Sequence, residues 1–348
     1  MNPNPEGDEL LSQIKAEAFR LGFSLFGVTA ADPPEHYPLY ENWLDQGCHG
    51  GMEYLDSTYH REARKRPASL LEGAKSIIVL GWSYSLTRSP AKPTAGLIAG
   101  YALQPDYHDH LPQLMAGLVE FIHHSTATPF QAKCLTDSAP VLERELGQRA
   151  GLGWIGRNSC LISPEWGSAF LLAEILLTLD LPVSQPFYTD RCGTCRRCID
   201  ACPTACIRSD RTLDANRCIS YLNIENKGAI PVELREKLGS WVFGCDICQE
   251  VCPWNSKQMK NEQKSSLSAG LSPGQMIESL QAAPDDFKHQ FQGSPILRAK
   301  WAGYHRNLIT VLTNMQEKGA VSVFTDLFEN ETTPDQRELL QWALDKLT

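Results

Sequence analysis

Five cysteines fall within sixteen residues in the run RCGTCRRCIDACPTAC (191–206), and no other feature limits the chain so strongly. Cys192, Cys195, Cys198 and Cys202, followed by Pro203, give C-x2-C-x2-C-x3-C-P, the ferredoxin arrangement that wraps a [4Fe–4S] cluster. A partial second run follows at Cys245, Cys248 and Cys252-Pro253. It lacks the first cysteine, and Val242 stands in that place. Cys218 is the natural substitute. In two-cluster ferredoxins the last cysteine of each run crosses to the other cluster. That rule predicts Cys192, Cys195, Cys198 and Cys252 around one cluster, and Cys202, Cys218, Cys245 and Cys248 around the second. Structural zinc also takes paired C-x2-C, but zinc ribbons do not show a triplet at this spacing closing on Cys-Pro.

The chain has 348 residues, 12 cysteines and a formal net charge of -9. Its N-terminus has neither a basic n-region nor an apolar h-region, so no secretory signal is expected there. It reads instead as an amphipathic helix with Leu10, Ile14, Ala18 and Leu21 on one face. The longest apolar stretch, SAFLLAEILLTLDL (168–181), is too short to span a bilayer and carries Glu174. A cytoplasmic protein with no membrane partner is expected. Twelve thiols there point to metal or redox chemistry rather than a disulfide framework. The acidic balance excludes nucleic-acid binding through global charge but leaves room for a local basic surface.

Residues 1–183 read as an α/β domain, with buried strands predicted at FSLFGVTA (23–30) and SIIVLGWSY (76–84). Residues 184–260 are a ferredoxin-like two-cluster module, and residues 261–348 an α-helical, HEAT-like domain. The helices expected in the last part are 305–319, 320–330 and 333–348, and the polar stretch 255–270 is expected as an exposed loop. No feature suggests anything but a monomer. Cys48, Cys134, Cys160 and Cys206 lie outside the cluster pattern and read as buried free thiols, with a cysteine nucleophile as the alternative.

A domain of this size ahead of two clusters implies an electron acceptor within it. GLGWIG (151–156) has the wrong spacing for a dinucleotide fingerprint. DYHDHL (106–111) begins like a cobalamin histidine box, but Leu111 replaces its glycine. Asp137, in CLTDSAPVLERELGQRAGLGWIGRNS, has two readings. Asp137 or Ser138 could cap a helix with Pro140 near its first position, or Asp137 could be a general acid. Spacing alone does not choose.

Taken together, AKSIIVL (74–80), DYH (106–108), DSAPVLERELGQRAGLGWIGRNSCLISPEWGSAFLLAEILL (137–177), CISYLNIENKG (218–228) and GCDICQEVCPWN (244–255) resemble the epoxyqueuosine reductase family across nearly the whole chain. The resemblance implies a cobalamin held base-off over the N-terminal domain and fed electrons singly by two 4Fe–4S clusters. It also implies reduction of the epoxyqueuosine epoxide at the tRNA wobble position to queuosine, with loss of water. The family's proton donor matches Asp137, whose carboxyl is expected to be kept neutral by apolar surroundings. By motif position, cobalamin contacts fall to Arg64, Tyr101, Asp137, Asn158, Ser159 and Ile162, with Ser168 added. Without the resemblance, Arg64 would be part of a solvated basic loop, and Tyr101 and Asn158 packing and turn residues.

Two departures from the family stand out: Gln104 and Pro105 where glycine and a basic residue are usual, and Cys160 where a threonine or aliphatic residue is common. The tRNA phosphates are expected at Arg191, Arg196, Arg197, Arg208, Arg211, Arg217 and the stretch ILRAKWAGYHRN (296–307). An external electron donor is implied but not identified. Two other functions compete. A dehalogenase-like cobalamin enzyme for small organics would usually carry a twin-arginine export signal. A non-enzymatic iron–sulfur carrier leaves the DSAPVLERE…GWIGRN segment without a purpose.

Overall fold

The computed structural model describes residues 5–89, 94–256 and 270–348. Most of the polar stretch expected as a loop therefore lies outside the described residues. The chain runs α1 (Pro5–Arg20), β1 (Leu25–Ala30), α2 (Tyr37–Asp45), α3 (Thr58–Lys65), β2 (Ser76–Ser83), β3 (Gly96–Ile98), α4 (Tyr107–Ser125), β4 (Ala132–Leu135), α5 (Glu143–Arg149), β5 (Trp154–Ile155), β6 (Leu161–Ile162) and β7 (Phe170–Leu177). The cysteine-rich part holds α6 (Arg197–Ala201), α7 (Ile219–Ile224), α8 (Val232–Arg235), β8 (Trp241–Phe243) and α9 (Ile247–Glu250). The last part holds β9 (Gly270–Leu271), α10 (Pro273–Gln281), α11 (Pro284–Gln290), α12 (Lys300–Asn314), α13 (Val321–Asn330) and α14 (Pro334–Leu347).

The two predicted strands, β1 and β2, join β7 and β4 in a four-stranded sheet, β1-β2-β7-β4, antiparallel at every pairing. β1, β2 and β7 are mostly apolar along their length because both faces are covered. Ile78 and Leu80 turn toward α1 and α4, packing with Ile14, Leu111 and Met115. Ile77 and Val79 turn the other way, toward Leu146 on α5 and Leu161 on β6. Strand side chains alternate with period two, so one sequence serves both layers. Gly27 on β1 is required by the close approach of α5, since a Cβ there would lie 2.0 Å from the Ala150 carbonyl oxygen.

A second sheet joins the three parts of the sequence. β3 pairs in parallel with β8 from the cysteine-rich part and antiparallel with β9. The C-terminal helices pack over it, with Ile98, Leu103, Val242 and Phe243 sharing a core with Met276, Leu308 and Phe324. Two buried polar side chains on α12 stitch this junction. Arg306 donates to the carbonyls of Asn226 (2.7 Å), Gly228 (2.6 Å) and Leu222 (2.6 Å), and Asn307 donates to those of Asn223 (2.7 Å) and Val242 (2.9 Å). α12 begins five residues before the predicted helix start, so Arg306 falls on its buried face and is withdrawn from any phosphate.

Candidate active site and metal centre

Asp137 follows β4 and has φ +48°, the left-handed region that a non-glycine residue occupies only when held there. It does not cap a helix. α5 starts at Glu143 with Leu142 as its N-cap, and the Asp137 side chain points elsewhere. Its Oδ2 accepts from Tyr107 Oη at 3.1 Å, faces His108 Nε2 at 2.9 Å, and accepts from Arg298 Nη1 at 3.3 Å. These partners come from the first turn of α4 and from the turn before α12. Asp106 caps α4 through the His108 N–H and also reaches His108 Nδ1 at 2.7 Å, fixing the imidazole between two carboxylates.

The expected apolar, neutral carboxyl is therefore corrected. Partial desolvation pushes Asp137 upward, but the His108 hydrogen bond and the Arg298 charge outweigh it and hold the carboxyl below its ordinary range. Desolvation lowers His108, and the bonds from Asp137 and Asp106 overcome that and raise it. The proton of this pair rests on the imidazole. His108 Nε2 also meets Arg298 Nη2, so the same nitrogen faces an acceptor and a donor. With its proton it serves Asp137; without it, it accepts from Arg298.

Tyr101 packs edge-on against Tyr107 and Tyr84, with centroids 6.1 and 6.2 Å away. Arg64 is buried, stacks over Tyr40 at 5.2 Å, and contacts His60 Nδ1 at 2.8 Å, so it is no solvated loop residue. Tyr54 lies in the electrostatic reach of Arg64, Asp137 and Arg298, and burial pushes its hydroxyl up to about 12. Asn158, Ser159 and Ile162 sit on the β5–β6 hairpin. Asn158 is buried with Nδ2 unpartnered among the described residues. Ser159 instead spends its hydroxyl on the Arg211 carbonyl at 2.6 Å, while its own carbonyl accepts from Arg144 at 2.7 Å. Ile162 is buried. Ser168 donates to Gln249 Oε1 at 3.0 Å and accepts from Asn255 at 3.0 Å, tying the turn before β7 to the second cysteine run. Gly167 (φ +62°) permits this, since a Cβ there would sit 1.9 Å from Asn255 Oδ1.

No cysteine is in a disulfide among the described residues. The cysteines draw together in two sets. Burial, and then the neighbouring Cys192 and Cys198, push the Cys252 thiol up to about 11, and Cys192 and Cys195 act likewise on Cys198 after burial. Cys245 is raised by burial and by Cys218 and Cys202. Cys248 is raised by its bond with Cys160, by burial, and by Cys245 and Cys218. Cys202 and Cys218 move the other way, lowered to about 5 and about 7 chiefly by their bonds with Cys206; iron takes such thiols in the thiolate form. No three donors among the described residues converge as ligands of a single ion would; a four-iron cube takes its thiolates at separate corners. Trp154 Nε1 donates to Cys192 Sγ at 3.4 Å, the kind of contact that tunes a thiolate. Of the remaining thiols, Cys48 and Cys206 are buried, and burial pushes Cys134 up to about 11, which leaves it unreactive near neutrality.

Several basic residues expected at phosphates have other partners. Arg211 binds Asp190 at 2.7 Å, Arg217 binds the Thr204 carbonyl at 2.9 Å, and Arg208 binds Cys48 Sγ at 2.8 Å. Arg191, Arg196 and Arg197 remain exposed. Sequence reasoning missed Tyr107, His108, Arg298 and Glu143 as site residues. DYH had carried part of the family resemblance, and a short polar run capping a helix was its only local signal.

Two family models match: "4Fe-4S double cluster binding domain" over residues 191–255, and "Epoxyqueuosine reductase QueG, DUF1730" over residues 64–138. The chain is 36% identical to the epoxyqueuosine reductase of Pseudomonas aeruginosa, over 98% of this chain and 95% of that one. It is 38% identical to that of Escherichia coli, over 88% and 82%. Among solved structures it is similar, at TM-score 0.87 and 28% identity over 98% and 91%, to an epoxyqueuosine reductase with an epoxyqueuosine-modified tRNA-Tyr stem loop. It is also similar, at TM-score 0.86 and 27% identity over 98% and 91%, to the Bacillus subtilis enzyme with its aspartate-bearing catalytic loop swung out of the active site.

Proposed function

The chain belongs to the epoxyqueuosine reductase family, and from that premise we propose that it reduces epoxyqueuosine to queuosine at the wobble position of tRNA. The carrying observation is Asp137, whose carboxylate is 45% exposed on one side and bonded on the other to Tyr107, His108 and Arg298. The reaction removes the epoxide oxygen as water and leaves an alkene, consuming two electrons and two protons. The electrons come from an external donor by way of two clusters, one on Cys192, Cys195, Cys198 and Cys252 and one on Cys202, Cys218, Cys245 and Cys248.

The residues around the site fit a corrinoid in kind. Asn158 offers a buried amide donor without a partner among the described residues, on the hairpin whose Cys160 bonds Cys248. Arg64 and Tyr101 would hold the ring's edge beside it. Ser159, Ile162 and Ser168 would contribute backbone and surface, because the two hydroxyls are already engaged. Bound there, cobalamin supplies a strongly reducing metal centre.

The chain's own part is proton delivery. Substrate closing over the exposed side of Asp137 strips its remaining water, and a low dielectric favours a neutral acid beside a neutral imidazole over the ion pair. The proton then passes from His108 Nε2 to Asp137 Oδ2 and on to the epoxide oxygen, and Arg298 donates to the vacated nitrogen. Tyr107 keeps the carboxyl aimed throughout. The exposed Arg191, Arg196 and Arg197 take phosphates, α12–α14 form the HEAT-like element, and the protein works as a cytoplasmic monomer.

The test is Asp137→Ala, loaded anaerobically with iron, sulfide and cobalamin and given an epoxyqueuosine-containing stem-loop. Wild-type metal content and EPR with turnover lost is the expected result. Turnover at the wild-type rate would remove Asp137 from the mechanism.

A further inference from the structure

A second pair of carboxyls lies behind Asp137 and takes no part in that proton transfer. Glu143 opens α5, and its Oε1 accepts the Asp137 N–H at 2.7 Å. Glu174 sits in the middle of β7, fully buried, opposite Val79 on β2 and Leu135 on β4. Directly paired residues share a face of a sheet. Glu174 is therefore on the face that α5 covers, toward Glu143.

Neither oxygen of Glu174 has a donor within hydrogen-bond reach among the described residues. Ionised, it would be an orphaned charge in an aliphatic layer. Protonated, it has an acceptor in the Glu143 carboxylate. Burial, and then the charges of Glu143 and Asp137, push Glu174 far above the usual carboxylate range, and burial followed by the Asp137 charge pushes Glu143 up to about 7. Arg144 and Arg64 are the cations that face Glu143, and they oppose that rise.

We propose that Glu143 and Glu174 share one proton and act as a positioning pair for Asp137. Neutral Glu174 donates to Glu143, and the Glu143 carboxylate, so oriented, holds the Asp137 backbone in the left-handed turn. That turn aims the side chain at Tyr107, His108 and Arg298. The inference rests on the reading of Asp137 as proton donor, and it explains why a central strand of a packed sheet carries an acid.

The experiment compares Glu143→Ala, Glu174→Leu and Glu174→Gln in the cofactor-loaded protein, reading amide exchange across residues 136–142 alongside turnover. Losing the clamp should speed exchange by about tenfold in Glu143→Ala and Glu174→Leu, while Glu174→Gln, whose amide still donates, stays at the wild-type rate. In the first two, kcat should fall with KM unchanged, and the Gln variant should restore it. Infrared spectra at pH 8 should show a protonated carboxyl in the wild type that Glu174→Gln removes. Wild-type exchange in Glu174→Leu, or a carboxyl band that survives in Glu174→Gln, would overturn the pairing. If the Leu variant does not fold, the band in Glu174→Gln and the exchange in Glu143→Ala decide the matter. Full turnover by Asp137→Ala with these exchange differences intact would instead sink the proton-donor reading alone.

Discussion

Replacing Arg298 with methionine removes a cation from both members of the proton-carrying pair while keeping side-chain length. Its Nη1 lies 3.3 Å from Asp137 Oδ2, with the two side chains 35% and 45% exposed. At that separation two unit charges interact by about 1–2.5 kcal/mol when the effective dielectric is about 40–80, the range suited to half-solvated groups. That corresponds to roughly one pH unit. The sign is the same for both partners. Arg298 lowers Asp137 by attracting its charged form, and it lowers His108 by repelling its charged form. Removing it therefore raises both. If the pair must hold its proton to act, the alkaline limb of kcat/KM should move up by about one pH unit in Arg298→Met. The assay is the pH profile of anaerobic turnover on an epoxyqueuosine stem-loop, with Arg298→Lys as the charge-retaining control. An unmoved limb in Arg298→Met, or one displaced to lower pH, refutes the assignment of the proton to Asp137 and His108.

Arg306→Met should cost about 3–5 kcal/mol in denaturant unfolding, because a buried guanidinium is lost and one buried and two part-buried carbonyls lose their donor at the junction of α7 and α12. A loss within about 1 kcal/mol would show that water replaces the guanidinium there. Cys218→Ser should lower iron from about eight atoms to about four while leaving the other cluster's EPR signal in place. Unchanged iron would mean that Cys218 is not the missing ligand of the second run.

The two-cluster domain was legible because cluster ligation leaves a local record: fixed spacings and a closing proline. The sheet was half legible. Apolar runs revealed β1 and β2, but the antiparallel order of the sheet is set by packing of α1, α4 and α5 on two faces, which spacing does not encode. The three-residue β3 and its pairing with β8 left no periodic signal at all. The partners of the acid were not legible for a related reason. Asp137 sits in a stretch that looks like a helix cap, whereas its partners are 29 residues back and 161 residues ahead. Arg298 read as a phosphate contact for the same cause, since a basic residue in a turn gives no sign of which acid will meet it. Glu174 was visible only as the charge that interrupts an apolar run.

Epoxide reduction needs electrons and protons at one carbon–oxygen bond, and a short chain of contacts brings the two supplies together. Asp246, inside the second cysteine run, accepts the N–H groups of Thr87 and Gly100, both at 2.8 Å, through one buried oxygen. Gly100 leads directly into Tyr101, whose ring packs on Tyr107, and the Tyr107 hydroxyl bonds Asp137. The loop that carries Cys245 and Cys248 therefore also fixes the aromatic wall behind the acid. Losing the second cluster should loosen Asp137 as well as break the electron path, because Asp246 lies between Cys245 and Cys248, two proposed ligands of that cluster. The same coupling accounts for the small sheet built from β3 and β8: it is the backbone link that keeps donor and acid in register while the rest of the chain closes around them.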